Sequence, residues 1–258
     1  MQKIIGKRNL PDFLLRGDGV NSRIKLSARG AISGSYMKVL PLTVIIFLLT
    51  AVFSLLNAVL NRCSENGAFL VVFSVVSLMV FVVLVSPLRL ILQLRFLVLA
   101  KGKSGFMMPA IGFADILKAC ELSVRLFILK LFRLLIFEFL PGVFTLIFIE
   151  YASRNAVSLR AAYAVFAGIV SLAVAGFVFY LITVQKYSES WFFLACYSDF
   201  TAADAIKEST RKTKNKLAEI FFFKLGFVPW FMLCAMVLPA LFVVPYYKQS
   251  VTCYYLSR

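Results

Sequence analysis

Apolar stretches of about 20 residues constrain this chain more than any other feature, because a helix of that length crosses a hydrocarbon layer of about 30 Å. Five such stretches stand out: Val39–Leu60, Ala68–Val85, Leu126–Ile149, Ala161–Val184 and Ala218–Val237. Inside lipid no water satisfies backbone N–H and C=O groups, so these runs must form helices that hydrogen-bond within themselves. The expected fold is therefore all-α, a polytopic transmembrane helix bundle of five spans. After Pro239 the text to Leu256 predicts a sixth, short span or an interfacial C-terminal helix, with Pro245 and Lys248 interrupting it. Composition agrees: 61% of the 258 residues are hydrophobic, against about 45–50% in soluble domains.

The polar remainder is basic, with 28 Lys and Arg against 12 Asp and Glu and a net charge of +16. Nucleic-acid-binding folds share such a charge but not a series of apolar spans, so no nucleic-acid partner is expected. The cations sort by side. Eight lie in the segment up to Lys38, six between Arg89 and Arg125, and six between Lys186 and Lys216. The opposite links hold three, Arg62, Arg154 and Arg160. Positive residues stay on the cytoplasmic side, which predicts a multi-pass cell-membrane protein with its N-terminus inside. The first residues carry Lys3, Lys7 and Arg8 without the apolar core of about 7–15 residues that a signal peptide needs, so the first span is expected to direct insertion.

Residues 1–20 read as a mobile cytoplasmic tail, and 21–258 as one integral-membrane helical domain with amphipathic segments at about 21–34, 101–125 and 185–217. In the first segment Ile24, Ala28 and Ile32 recur on one helical face, with Arg23, Lys25 and Arg29 elsewhere. This predicts a short basic helix at the membrane surface. In the third, Thr201 and Asp204 have the spacing of a capping box. Beyond them Lys207, Arg211 and Lys214 share a face, while Ile206, Leu217 and Ile220 mark the other. That stripe reads as positive-inside topology, as a contact for anionic lipid head groups at about 1 kcal/mol per cation, or as a surface for an acidic protein partner.

Reactive chemistry is sparse. The chain has no histidine, which removes a His general base, a His-ligated metal and the usual Ser-His or Cys-His pairs. Cys63, Cys120, Cys196, Cys234 and Cys253 are far apart and read as small apolar residues. No phosphate-binding Gly-rich loop, H-E-x-x-H or G-x-S-x-G is present. No enzyme activity, cofactor or metal is expected. Glu138 is the ionisable residue well inside a span, where a charge costs about 2.5–3.5 kcal/mol and is normally paired or functional. Lys130 and Arg133 precede it on the same span, so the three read as an intramembrane charge pair or as part of a proton or solute path. Trp230, Tyr246, Tyr247, Tyr254 and Tyr255 read as interfacial anchors. Pro87, Pro141-Gly142, Pro239 and Pro245 either frame a cavity with freed carbonyls, as in transporters, or are packing features.

Several fragments, in order, resemble one family. SRIKLSARGAISGSYMKVL is similar to the opening segment of the bacterial integral-membrane proteins catalogued as domain of unknown function 975. SPLRLILQLRFLVLAKGK with FADILKA, FLPGV, KYSESWFFLACYSDFTAADAIKES, FKLGFVPW and VVPYYKQSVTCYY resemble its later motifs. The likeness runs from residue 22 to 255, with departures at Ser86 and Arg89 and a longer stretch over 144–184. It implies a polytopic bacterial membrane protein and no particular reaction. Together these readings predict a non-enzymatic membrane scaffold or modulator whose partners are the bilayer, its anionic head groups and a membrane protein. The alternative is a small transporter or permease with a pathway near Glu138. A continuous polar cavity between spans would favour transport, and a filled bundle with charge at its surface would favour the scaffold.

Overall fold

The stripe of Ile24, Ala28 and Ile32 is buried and forms the inner face of helix α1 (Val20–Ser33). It packs onto other helices of the protein. The computed structural model describes residues 20–63, 67–102, 111–154, 158–234 and 237–257. The expected N-terminal tail falls outside these residues except for Val20. Four long helices follow: α2 (Tyr36–Cys63), α3 (Gly67–Ala100), α4 (Phe113–Arg154) and α5 (Leu159–Val184). A 3-10 turn at Gln185–Tyr187 then leads into α6 (Ser190–Cys196), α7 (Ala202–Thr213), α8 (Leu217–Leu225), α9 (Val228–Leu233) and α10 (Val237–Leu256). Among the described residues there is no strand.

Four helical stretches, Tyr36–Leu60, Phe69–Ala100, Phe113–Ala152 and Arg160–Cys196, are long and apolar enough to cross a membrane. Sequence alone predicted five spans and, after them, a short sixth span or an interfacial C-terminal helix. The difference lies at Ala218–Val237, which divides into α8 and α9, about 14 and 9 Å long at 1.5 Å per residue and each too short to cross. Pro229 sits in the first turn of α9, where its missing N–H leaves no bond unmade. Phe223 stacks on Tyr254 at 4.3 Å, and Phe227 meets Tyr246 and Tyr247 edge-on. These aromatic contacts hold the segment against α10. α1 also packs on α10, which brings the two ends of the described chain together.

Polar or terminal residues bracket each long helix: Lys38 and Arg62, Gly67 and Arg89, Lys130 and Arg154, Arg160 and Gln185. At 1.5 Å per residue these intervals are about 33–38 Å, a hydrocarbon core of about 30 Å with its edges. The parts of α3 beyond Arg89 and of α4 before Lys130 therefore project on the side where Lys and Arg concentrate. Here α1, α6, α7, α8 and α10 pack around them. One core joins Leu97, Leu122, Phe192, Ala205, Ile220 and Tyr254, and a second joins Val39, Leu92 and Phe96. The other half is different. In the apolar windows of α4 and α5 only 6% and 0% of residues are buried, with Phe132, Ile136, Phe166 and Phe179 facing outward. Water would not tolerate that surface, whereas lipid stabilises it.

The prolines inside these helices fit by the same logic. A proline deprives the carbonyl four residues earlier of its N–H partner. Pro245 frees the Leu241 carbonyl, and the Tyr36 hydroxyl donates to it across helices at 2.5 Å. Pro87 frees the Val83 carbonyl, which the Cys120 thiol approaches to 4.0 Å. Pro141 frees the Phe137 carbonyl, which lies against Gly176 of α5. Neighbouring helices thus cover the gaps, as membrane helices require. At these three positions a residue of a neighbouring helix lies against the freed carbonyl.

Candidate functional site

The capping box at the start of α7 is formed on both sides. Asp204 N–H donates to Thr201 Oγ1, and Thr201 N–H donates to Asp204 Oδ2, each at 3.2 Å. The hydroxyl and amide bonds from Thr201 hold the Asp204 carboxyl below its usual range. Ala202, Ala205, Ser209 and Thr213 form the buried face; Ser209 and Thr213 donate to the Lys186 carbonyl. The helix therefore docks by one stripe, and Lys207, Arg211 and Lys214 are all left exposed. They are not equivalent. Arg211 makes a bidentate pair with Glu208 at 2.7 and 2.9 Å, and this hydrogen bonding keeps the Glu208 carboxyl low. Lys207 and Lys214 make no ion pair among the described residues, and Lys212 and Lys216 add exposed charge beside them.

The aromatic residues predicted as anchors separate into two groups. Trp230 is exposed on α9. Tyr254 and Tyr255 are 2% and 7% exposed and belong to the main core, which corrects their reading as interfacial. Tyr255 donates its hydroxyl to Ser188 at 2.9 Å and meets Phe192 edge-on. Tyr246 and Tyr247 are half-buried around Phe227. The α8–α9 break turns two phenylalanines toward α10, and those rings replace the membrane interface as partners for the tyrosines.

Glu138, Lys130 and Arg133 are not brought together as a pair. Lys130 and Glu138 are separated by about 12 Å along one helix, and Arg133 at i−5 points to another face. Arg133 Nε instead donates to the Tyr187 hydroxyl at 2.9 Å, with the guanidinium 5.3 Å from that ring's centre. Among the described residues Glu138 makes no ion pair or hydrogen bond. Its carboxylate lies beside the α4–α5 contact at Gly176.

Lys130 belongs to a different group. It lies within electrostatic reach of Arg89 on α3. Lys248 on α10 feels both of them, and Lys224 on α8 feels Lys248 and Lys130. Each of these four cations, carried on four different helices, thus lies within electrostatic reach of at least two of the others: Arg89 of Lys130 and Lys248, and Lys224 of the same two. The packing explains how: α3 lies on α4, α4 on α5, α5 on α8, and α10 on both α9 and α3. Gln93 on α3 donates to Thr252 on α10 at 3.1 Å, closing that side. Lys224 donates to Gln185 Oε1 at 2.7 Å. Arg89, Lys130 and Lys248 make no hydrogen bond or ion pair among the described residues. Glu189, itself buried, is the acidic group within reach of Lys224. Burial first, then Lys248 and Lys130, push the Lys224 ammonium down to about 7 against the pull of Glu189. Arg89 and Lys248 are exposed.

Beside this group an apolar crevice of about 320 Å³ runs along α4, lined by Leu129, Phe132, Arg133, Ile136, Phe137 and Tyr187. Among the described residues no three His, Cys, Asp or Glu side chains gather as metal ligands do. The sequence reading marked Lys130 but sought its partner on the same helix. The signal for the others was a lone cation in apolar text, in SPLRL, FFFKLG and PYYKQS. No family model, no curated protein and no solved structure matches this chain.

Proposed function

We propose that the chain is a non-enzymatic membrane scaffold or modulator that gathers anionic lipid, and through it a membrane-protein partner, at the cytoplasmic face of the cell membrane. The exposed cations on and after α7 carry this reading, because Lys207, Lys212, Lys214 and Lys216 stand free on the side where the chain's positive charge concentrates. On this reading that side is cytoplasmic, by the charge asymmetry of the links. The α8–α10 unit takes the place of the fifth and sixth crossings and packs within the cytoplasmic half. The ordered likeness to domain of unknown function 975 supports a bacterial source within the same proposal. The transporter reading draws less support, since neighbouring helices cover three of the freed proline carbonyls.

The test uses full-length protein reconstituted with spin-labelled phosphatidylglycerol or phosphatidylcholine. The protein should immobilise the anionic lipid preferentially, and salt should weaken the preference because exposed charge is screened beyond about 8–10 Å. Lys207→Gln with Lys214→Gln should reduce it by about 2 kcal/mol at low salt, at about 1 kcal/mol per cation. Arg211→Gln should do less, because Glu208 already neutralises Arg211. An unchanged preference in the double variant would remove this reading.

A further inference from the structure

We propose that Arg133 and Tyr187 head a binding site for one anionic phospholipid, whose phosphate meets the Arg133 guanidinium and whose acyl chains lie in the apolar crevice on α4. The site is separate from the α7 surface and does not rest on it. Arg133 Nε donates to the Tyr187 hydroxyl at 2.9 Å, and the guanidinium stands 5.3 Å from that ring's centre. Tyr187 is itself buried in the main core, so the contact fixes the guanidinium from one side. The two terminal nitrogens of Arg133 make no hydrogen bond or ion pair among the described residues. Arg133 belongs to a helical stretch apolar enough to cross a membrane, Phe113–Ala152, where a cation without an acid is costly. Its planar fork suits two oxygens of one phosphate, which also supplies the missing negative charge.

The crevice accounts for the rest of the ligand. Arg133 and Tyr187 line it together with Leu129, Phe132, Ile136 and Phe137, around about 320 Å³. From Leu129 to Phe137 it extends about 12 Å at 1.5 Å per residue, close to half of a hydrocarbon layer of about 30 Å. Arg133 lies about 32 Å along α4 from Arg154, which puts it at the edge of that layer on the basic side. A second apolar groove, of about 330 Å³, adds Leu135 and Phe139 and shares Phe132 and Ile136 with the first. The row of Phe132 and Ile136, one helical turn apart, therefore stands between two grooves, one for each chain of a diacyl lipid. Phe132, Leu135, Ile136 and Phe139 are all exposed, a surface that lipid covers and water does not tolerate. A half-neutralised arginine at one end and paired apolar grooves at the other match a phospholipid, whereas a free phosphate would leave the grooves unused. Basic pockets between membrane helices take phospholipid head groups in this manner.

Full-length protein in neutral detergent provides the test, with short-chain phosphatidylglycerol, short-chain phosphatidylcholine and inorganic phosphate as separate probes. Thermal unfolding reports stabilisation, and native mass spectrometry counts retained lipid. Phosphatidylglycerol should raise the unfolding temperature and remain bound as a single copy. At equal concentration phosphatidylcholine, whose phosphate is balanced by its own choline, should do neither, and inorganic phosphate should not stabilise. Arg133→Gln should weaken phosphatidylglycerol about 10–100-fold, the range for a lost charge-assisted hydrogen bond. Tyr187→Phe keeps the ring and removes the hydroxyl that holds Arg133, and should weaken it about threefold. Phe132→Ala acts on the chains instead and should weaken it about fivefold. Phe132 is exposed, so its loss should leave lipid-free stability unchanged; if Arg133→Gln does not fold, Phe132→Ala and Tyr187→Phe decide. Lys207→Gln with Lys214→Gln should leave the single bound lipid in place, so this site and the α7 surface fail independently. Unchanged phosphatidylglycerol affinity in Arg133→Gln overturns the site, and unchanged affinity in Phe132→Ala overturns the placement of its chains. Phosphatidylcholine retained as tightly as phosphatidylglycerol overturns the anionic assignment. Equal stabilisation by inorganic phosphate overturns the lipid assignment.

Discussion

Tyr254→Ala should destabilise the protein by about 3–5 kcal/mol, the range for removing a large aromatic side chain from a packed core. Tyr254 is 2% exposed and stacks on Phe223 at 4.3 Å, and it touches Tyr255 edge-on. Through Phe223 it fastens α8 to α10, and through the core it joins α1, α3 and α6. The loss therefore loosens the whole basic-side half. Trp230→Ala is the comparison, because Trp230 is the aromatic residue of the predicted anchors that remains on the surface. In detergent it should change stability by no more than about 0.5 kcal/mol. Denaturant unfolding of both variants reads the difference. Equal, small effects would return Tyr254 to the membrane interface.

Gly176→Ala tests the membrane half. A Cβ at Gly176 would stand 2.9 Å from the Phe137 carbonyl oxygen and 3.6 Å from its carbon. Both are backbone atoms of α4 and cannot rotate aside, so α5 must retreat. Overpacking of this kind costs about 1–3 kcal/mol. Gly168 lies two turns earlier on α5, and a Cβ there meets nothing within 4 Å. Gly168→Ala should therefore stabilise, by up to about 1 kcal/mol from helix propensity. The same chemical change is expected to act with opposite sign at two glycines of one helix. Destabilisation of similar size at both would mean that the α4–α5 contact is not the cause.

What could be read from sequence and what could not divide along physical lines. Helix length and apolar content act locally, so α2 to α5 were visible as spans. The capping box at Thr201 and Asp204 and the buried stripe of α1 are also local, set by spacing along one helix. The break at Gly226-Phe227 was hidden because its cause is distant in sequence. Phe223 and Phe227 leave the expected span to reach tyrosines on α10. The cation group was hidden for the same reason. Lys130 shows its neighbours only when α3, α8 and α10 are placed around it, whereas sequence offered Glu138 on its own helix. Charge complementarity along one helix is a weak guide where like charges are gathered across several.

On the reading we propose, the chain crosses the membrane four times and both ends of the described chain lie on the cytoplasmic side. Single-cysteine variants in a background lacking the five native cysteines test this directly, with a membrane-impermeant thiol reagent on intact cells. Arg62→Cys and Arg154→Cys, exposed at the far ends of α2 and α4, should react from outside. Ser22→Cys, Lys207→Cys and Ser257→Cys should react only after the cells are permeabilised. Reaction of Ser257→Cys in intact cells, with Ser22→Cys still protected, would require an odd number of crossings and contradict the fold and both binding surfaces built on it.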